Sequence, residues 1–216
     1  AYDDVCGVLN NLTTGVMQIV TLKSNGITSM TDLIGRNVCM GPVGGASKLA
    51  ETTWGYMGFT VDDVNPTYTS YADGITNLTD GKVDAVIVQA ATPTSVITEL
   101  MATKGDDVLI LSVDEETIEK VTSDYSFYGK YVISADKYGL SEDVVTLGLS
   151  NMVVCNKNLD TGLVYDITKA IMENLDYIHE AYAATSGLTT ESAVKGMPID
   201  LHPGAEMYYK EIGVIK

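Results

Sequence analysis

The chain has 216 residues, enough for one large domain or two lobes around real cores. Its formal charge of −16 argues against nucleic-acid binding, where a basic face is expected. No apolar run approaches the ~20 residues of a membrane span.

In chain order, residues 5–9 form a short apolar run and residues 15–23 (GVMQIVTLK) read as a strand, broken by Ser24, Asn25 and Gly26. Residues 30–34 read as a helical turn closed by Gly35, and 37–40 as a strand. A glycine-rich turn (GPVGGAS) then leads into a helix over 46–57. Ala46, Leu49, Ala50, Thr53, Trp54 and Met57 give that helix one buried stripe, and Gly58 is placed for a left-handed cap. Residues 64–69 read as a strand, Ser70 opens a helix stopped by Gly81, and 83–88 (VDAVIV) is a strand covered on both faces. Thr92 is placed to cap the next helix, with Pro93 at its first position. A strand at 108–113 and a helix capped by Asp114 follow. Residues 125–138 are aromatic and irregular or partly extended, and 144–155 are extended. Leu163, Ile167, Ile171, Leu175 and Ile178 mark one long helix from about 160 to 183, and a last helix spans 203–212.

Strand and helix alternate at short spacing, which predicts an α/β fold with mostly parallel sheets and helices on both sides. Ligands of such sheets bind beyond the carboxyl ends of the strands. Three strand-to-helix turns reach that edge, at 41–47, 69–71 and 89–93. They supply the candidate ligand-binding residues Gly41, Gly44, Gly45, Ala46, Ser47, Ser70, Tyr71, Gln89, Ala90 and Thr92. Glycines let the backbone approach a ligand, and helix starts offer unpaired N–H groups to an anion. The bland alternative is a set of turns that need glycine for geometry alone.

A cationic clamp is hard to find. The sole arginine, Arg36, precedes its strand and so lies at the wrong end, and Lys48 reads as a solvated side chain. Catalysis is poorly served. His179 and His202 both read as structural, Asp62–Asp63 and Asp106–Asp107 as solvated or capping, and no nucleophile, zinc or phosphate-loop pattern occurs. Cys6, Cys39 and Cys155 lie far apart in sequence, with no C-x-x-C and no histidine neighbour, and read as buried free thiols. The expectation is a non-enzyme with no catalytic residue, metal or cofactor.

Several segments resemble the TAXI-type solute receptors of TRAP transporters. They are VCMGPVGGASK, Asp80-Gly81-Lys82-Val83-Asp84-Ala85, Ile133-Ser134-Ala135-Asp136-Lys137-Tyr138 and, most specific, Leu201-His202-Pro203-Gly204-Ala205-Glu206 with Tyr208-Tyr209. The loop departs from that family at Gly45, Ala46, Ser47 and Lys48. The resemblance implies a type II periplasmic-binding-protein-like fold of two lobes, with the first lobe incomplete at its N-terminus. It implies one complete lobe at 26–132, with 1–25 and 133–216 as hinge strands and the rest of the other lobe. Residues 125–138 would then sit near the cleft, adding Tyr138 to the ligand-binding set. The implied function is capture of a small carboxylate, a glutamate-like amino acid or oxo-acid, for a TRAP-type permease. The implied location is periplasmic or extracytoplasmic, with any membrane anchor in a segment outside this chain. A ligand-sensing effector module of the same fold is the alternative. If a lobe portion is missing, the sheet edge at 15–23 is expected to expose apolar surface or pair with another chain.

Overall fold

The computed structural model describes residues 3–45 and 47–216. The chain forms two compact units, Ala1–Thr14 with Ser150–Lys216, and Gly15–Leu149. The elements run β1 (Val5–Leu22), β2 (Asn37–Cys39), α1 (Lys48–Met57), β3 (Asn65–Thr67), α2 (Tyr71–Thr79), β4 (Ala85–Ala90) and α3 (Ser95–Lys104). They continue with β5 (Val108–Ile110), α4 (Glu115–Asp124), β6 (Tyr128–Ile133), β7 (Val144–Asn156), α5 (Thr161–Met172), α6 (Leu175–Ala181) and α7 (Pro203–Glu211). By their residue ranges, β1 and β7 contribute to both units.

In the Gly15–Leu149 unit the strands follow the order β3-β2-β4-β1, and β5 also pairs with β1. β2 is parallel to β3 and β4, while β1 is antiparallel to β4 and to β5. β2, β3, β4 and β5 therefore share one direction and β1 runs against them, and beyond β1 the sheet continues to β7 and its antiparallel partner β6. The pleat sends alternate residues to opposite faces. Met17 and Ile19 of β1 and Ile87 of β4 join Leu49, Trp54 and Phe59 in one core. Val16 and Val20 of β1 and Val86 and Val88 of β4 join Leu78, Ile97 and Leu100 in the other. Both faces are covered, which is why these strands read as continuous apolar runs. The edge strand β3 carries Pro66, whose missing N–H is tolerated there.

The second unit packs α5 against α7 over Val8, Leu9, Val164, Met172, Leu188 and Tyr209. The Tyr209 hydroxyl donates to the Val8 carbonyl at 3.2 Å.

Four expectations are corrected. The runs at 5–9 and 15–23 are one continuous strand, because the polar residues between them also find partners. Asn11, at φ 57°, donates its side-chain amide to the Ser192 and Lys195 carbonyls. The segment 15–23 is not an exposed edge. It lies between β4 on one side and β5 on the other, and Gly15–Leu22 is buried throughout. The long helix over 160–183 breaks into α5 and α6 at Asn174, whose backbone (φ −121°, ψ 29°) leaves the helical region. Thr92 and Pro93 do not open α3, which starts two residues later with Thr94 as its cap residue.

Candidate functional site

β3, β2 and β4 are adjacent and parallel, so their carboxyl ends, and the turns into α2, α1 and α3 that follow them, share one sheet edge. At the α1 turn, Gly41 (φ 79°) and Gly44 (φ 131°) take backbone conformations that side chains disfavour. Gly44 and Gly45 are exposed, Ser47 is buried, and Ala46 lies outside the described residues. The Ser47 hydroxyl donates to Glu51 Oε1 at 2.6 Å. At the α2 turn Ser70 accepts the Asp73 N–H at 3.1 Å and donates to Asp73 Oδ2 at 2.7 Å. Both hydroxyls are thus committed to carboxylates of their own helices.

Tyr71 closes a gap in the ladder. β2 pairs with β4 only as far as Cys39↔Val86, so the Gln89 backbone extends past it. The Tyr71 hydroxyl donates to the Gln89 carbonyl (3.1 Å) and accepts its N–H (3.2 Å). Burial pushes that phenol up from its ordinary value, keeping it protonated as a donor. The Gln89 side chain donates to the Gly15 carbonyl at 2.6 Å, while its Oε1 is buried with no partner among the described residues.

A second network lies at the start of α3. The Tyr138 hydroxyl donates to Gln18 Oε1 (2.6 Å) and accepts the Thr94 N–H (2.8 Å). Gln18 donates on to the Ala90 carbonyl at 3.3 Å. The Thr92 and Tyr131 hydroxyls share a hydrogen bond at 3.0 Å. Burial raises the Tyr138 phenol to about 12, so it stays a donor at any physiological pH. Replacing Tyr138 with phenylalanine is expected to leave Gln18 Oε1 and the Thr94 N–H unpaired, costing about 1–3 kcal/mol. That lowers the thermal midpoint by about 3–8 °C for a chain of this size. A melt shifted by under about 1 °C would count against these bonds.

The structure brings Ser70, Tyr71 and Gln89 together, and Ala90, Thr92 and Tyr138 together. It sets the Gly41–Ser47 turn beside them by strand order alone, with no side-chain hydrogen bond linking it to either group among the described residues. Gln18 and Thr94 were missed. A glutamine inside the apolar run MQIVTL was the available signal for the first. The cations lie as expected. Arg36 stands 4.0 Å from Asp84, before β2, and Lys48 is largely exposed and pairs with Glu51 at 3.7 Å. Lys48, Glu51, Thr52, Gly55, Tyr56 and Tyr125 line an open hollow of about 400 Å³ along α1. His202 caps α7, its Nδ1 accepting the Gly204 N–H at 3.1 Å, and His179 Nε2 lies 3.1 Å from the Leu188 carbonyl.

The strands and helices form a mixed α/β fold, with helix starts gathered on one sheet edge. Residues 1–213 match the NMT1-like family, and the chain belongs to it. Among solved structures it is similar to the substrate binding protein of an amino acid ABC transporter, at 13% identity and TM-score 0.42, covering 79% of this chain and 60% of that one. It is similar to the periplasmic aliphatic sulphonate binding protein SsuA from Escherichia coli, at 14% identity and TM-score 0.47, covering 99% and 70%. It is also similar to a putative L-cystine ABC transporter from Listeria monocytogenes, at 13% identity and TM-score 0.46, covering 84% and 64%. The chain therefore spans 60–70% of the length of these three proteins.

Proposed function

We propose that the chain captures a small solute outside the cytoplasm and delivers it to a membrane permease. The observation that carries this reading is the gathering of three helix starts at the carboxyl ends of three adjacent parallel strands. Each helix start contributes ~0.3–1 kcal/mol to holding an anion, up to ~2 when partly buried. A micromolar solute needs about −8 kcal/mol. Hydrogen bonds must therefore supply much of the affinity, and the chemistry at the edge says of which kind. Gln89 Oε1 offers a buried acceptor, and Glu51 and Asp73 bring carboxylates close to the α1 and α2 starts. Together they favour a solute that carries donors as well as a carboxylate. An amino acid of the glutamate type fits better than an oxo-acid. A TRAP-type permease as the recipient is supported by the sequence resemblance, above all by the LHPGAE segment.

Thermal-shift and calorimetric titration with glutamate, glutamine and 2-oxoglutarate test this. Ligand at about a hundred times Kd adds about 2.7 kcal/mol, or roughly 5–10 °C in a chain of this length. The amino acids are expected to give that shift and 2-oxoglutarate a smaller one. A larger response to 2-oxoglutarate would reverse the ligand preference, and silence from all three would sink the carboxylate reading.

A further inference from the structure

β1 and β7 are neighbours in the sheet. Near the start of β1, contacts within the unit formed by Ala1–Thr14 and Ser150–Lys216 fix their register. The Lys157 N–H donates to the Asp4 carbonyl at 2.9 Å, and the Lys157 ammonium meets Asp4 Oδ1 at 2.8 Å. Asn11 stands seven residues further along β1, and it accepts from the hydroxyl of Ser150, which stands seven residues back from Lys157. The strands therefore run antiparallel, and this register sets Cys6 opposite Cys155.

The main-chain bond at Asp4 and Lys157 makes that a hydrogen-bonded pair, and such pairs recur at every second residue. Cys6 and Cys155 are the next one along. Opposed residues of this kind have Cα atoms about 5.5 Å apart, inside the roughly 4.4–6.8 Å that a disulfide spans. Side chains two positions apart share a face, so both sulfurs emerge on the side where the Asp4 and Lys157 side chains already meet. Both thiols are free and partly exposed, whereas Cys39 is buried. The sequence reading of three buried, unrelated thiols is thus corrected for two of them, because only strand pairing reveals their adjacency.

We propose that Cys6 and Cys155 are a disulfide-forming pair that staples the start of β1 to the end of β7. The co-reactant is a disulfide oxidant, such as oxidised glutathione. The Cys6 thiolate attacks one sulfur of the oxidant, forming a mixed disulfide and expelling one thiolate. The Cys155 thiolate then attacks the Cys6 sulfur, forming the internal bond and expelling the second. Two electrons and two thiol protons leave the chain, and the oxidant is reduced to two thiols. Burial pushes the Cys155 thiol up, so the closing step speeds up as pH rises.

The test treats the full chain with oxidised glutathione at about pH 8.5, alkylates it and maps the peptides without reduction. The expected product is one intramolecular peptide pair joining Cys6 to Cys155, with Cys39 alkylated only after unfolding. Closing a loop of this length is expected to raise the thermal midpoint by about 5–15 °C. Reductant reverses the rise, and Cys6→Ser and Cys155→Ser abolish it. Recovery of Cys6 and Cys155 as separately alkylated peptides would overturn the proposal. So would cross-links that run between chains or involve Cys39. The peptide map of the unaltered chain decides the matter even if a serine variant folds poorly.

Discussion

Gly204→Ala is expected to destabilise the protein by about 3–5 kcal/mol. Gly204 stands in the first turn of α7, where α7 meets α5. A Cβ added there would lie 2.3 Å from the Thr161 carbonyl oxygen, 2.7 Å from the Tyr165 nitrogen and 3.0 Å from Val164 Cβ. The two shortest approaches are to backbone, which cannot swing aside as a flexible side chain can. Helix propensity argues the other way, since alanine is better than glycine by about 1 kcal/mol in a helix interior. That gain is smaller than the cost of forcing two helices apart in a packed core. The thermal midpoint should fall by about 6–15 °C. Gly129→Ala, where nothing stands within 4 Å of the added atom, is the control and should shift little. Equal melts for the two variants would show that α5 and α7 do not approach this closely.

That contact also shows what the LHPGAE segment does in the fold. Each residue in it has a distinct physical task. Leu201 bridges to Gly7 and His202 caps the helix. Pro203 fills the first helical position, Gly204 permits the close approach and Ala205 is fully buried. Such dense local demand leaves a pattern that can be read without the fold. The turns at the sheet edge were legible for a similar reason. Ser70 and Asp114 cap their helices through their own side chains, and Gly58 closes α1 at φ 88°.

What stayed hidden is non-local. Gln18 and Tyr138 are 120 residues apart and meet only because β1 is set inside the sheet. Cys6 and Cys155 meet only because β1 and β7 pair. The hydroxyls of Ser47 and Ser70 were read as ligand groups because spacing shows which residues reach an edge. It does not show that Glu51 and Asp73, one turn on, engage them first. Thr92 was read as a cap because threonine before proline fits that role locally. The chain instead carries on to Thr94, whose N–H is bound by Tyr138 from a distant segment.

Trp54→Ala is expected to cost about 3–5 kcal/mol, and its effect should reach the candidate site. Trp54 is fully buried on α1 and stacks on Phe59, with ring centroids 5.1 Å apart and an interplanar angle of 23°. It joins Val38 of β2 and Ile87 of β4 in the core beneath the sheet, so it ties α1 to two strands that lead into the candidate turns. Its Nε1 is buried with no partner among the described residues. Truncation therefore removes an unsatisfied donor along with the ring, which pulls the cost toward the lower end of the range. Trp54→Phe separates the two effects. It keeps most of the apolar volume and removes the donor, so its cost should be about 1–2 kcal/mol, well below that of the alanine variant. The Gly41–Ser47 turn feeds directly into α1, so loosening the helix should weaken any solute response more in Trp54→Ala than in Trp54→Phe. Urea titrations of both variants, followed by the amino-acid thermal shift, check the two steps separately. If the alanine variant lost under 1 kcal/mol, Trp54 would not be the anchor of α1. If it lost stability yet kept a full solute response, the α1 start would not belong to the binding edge.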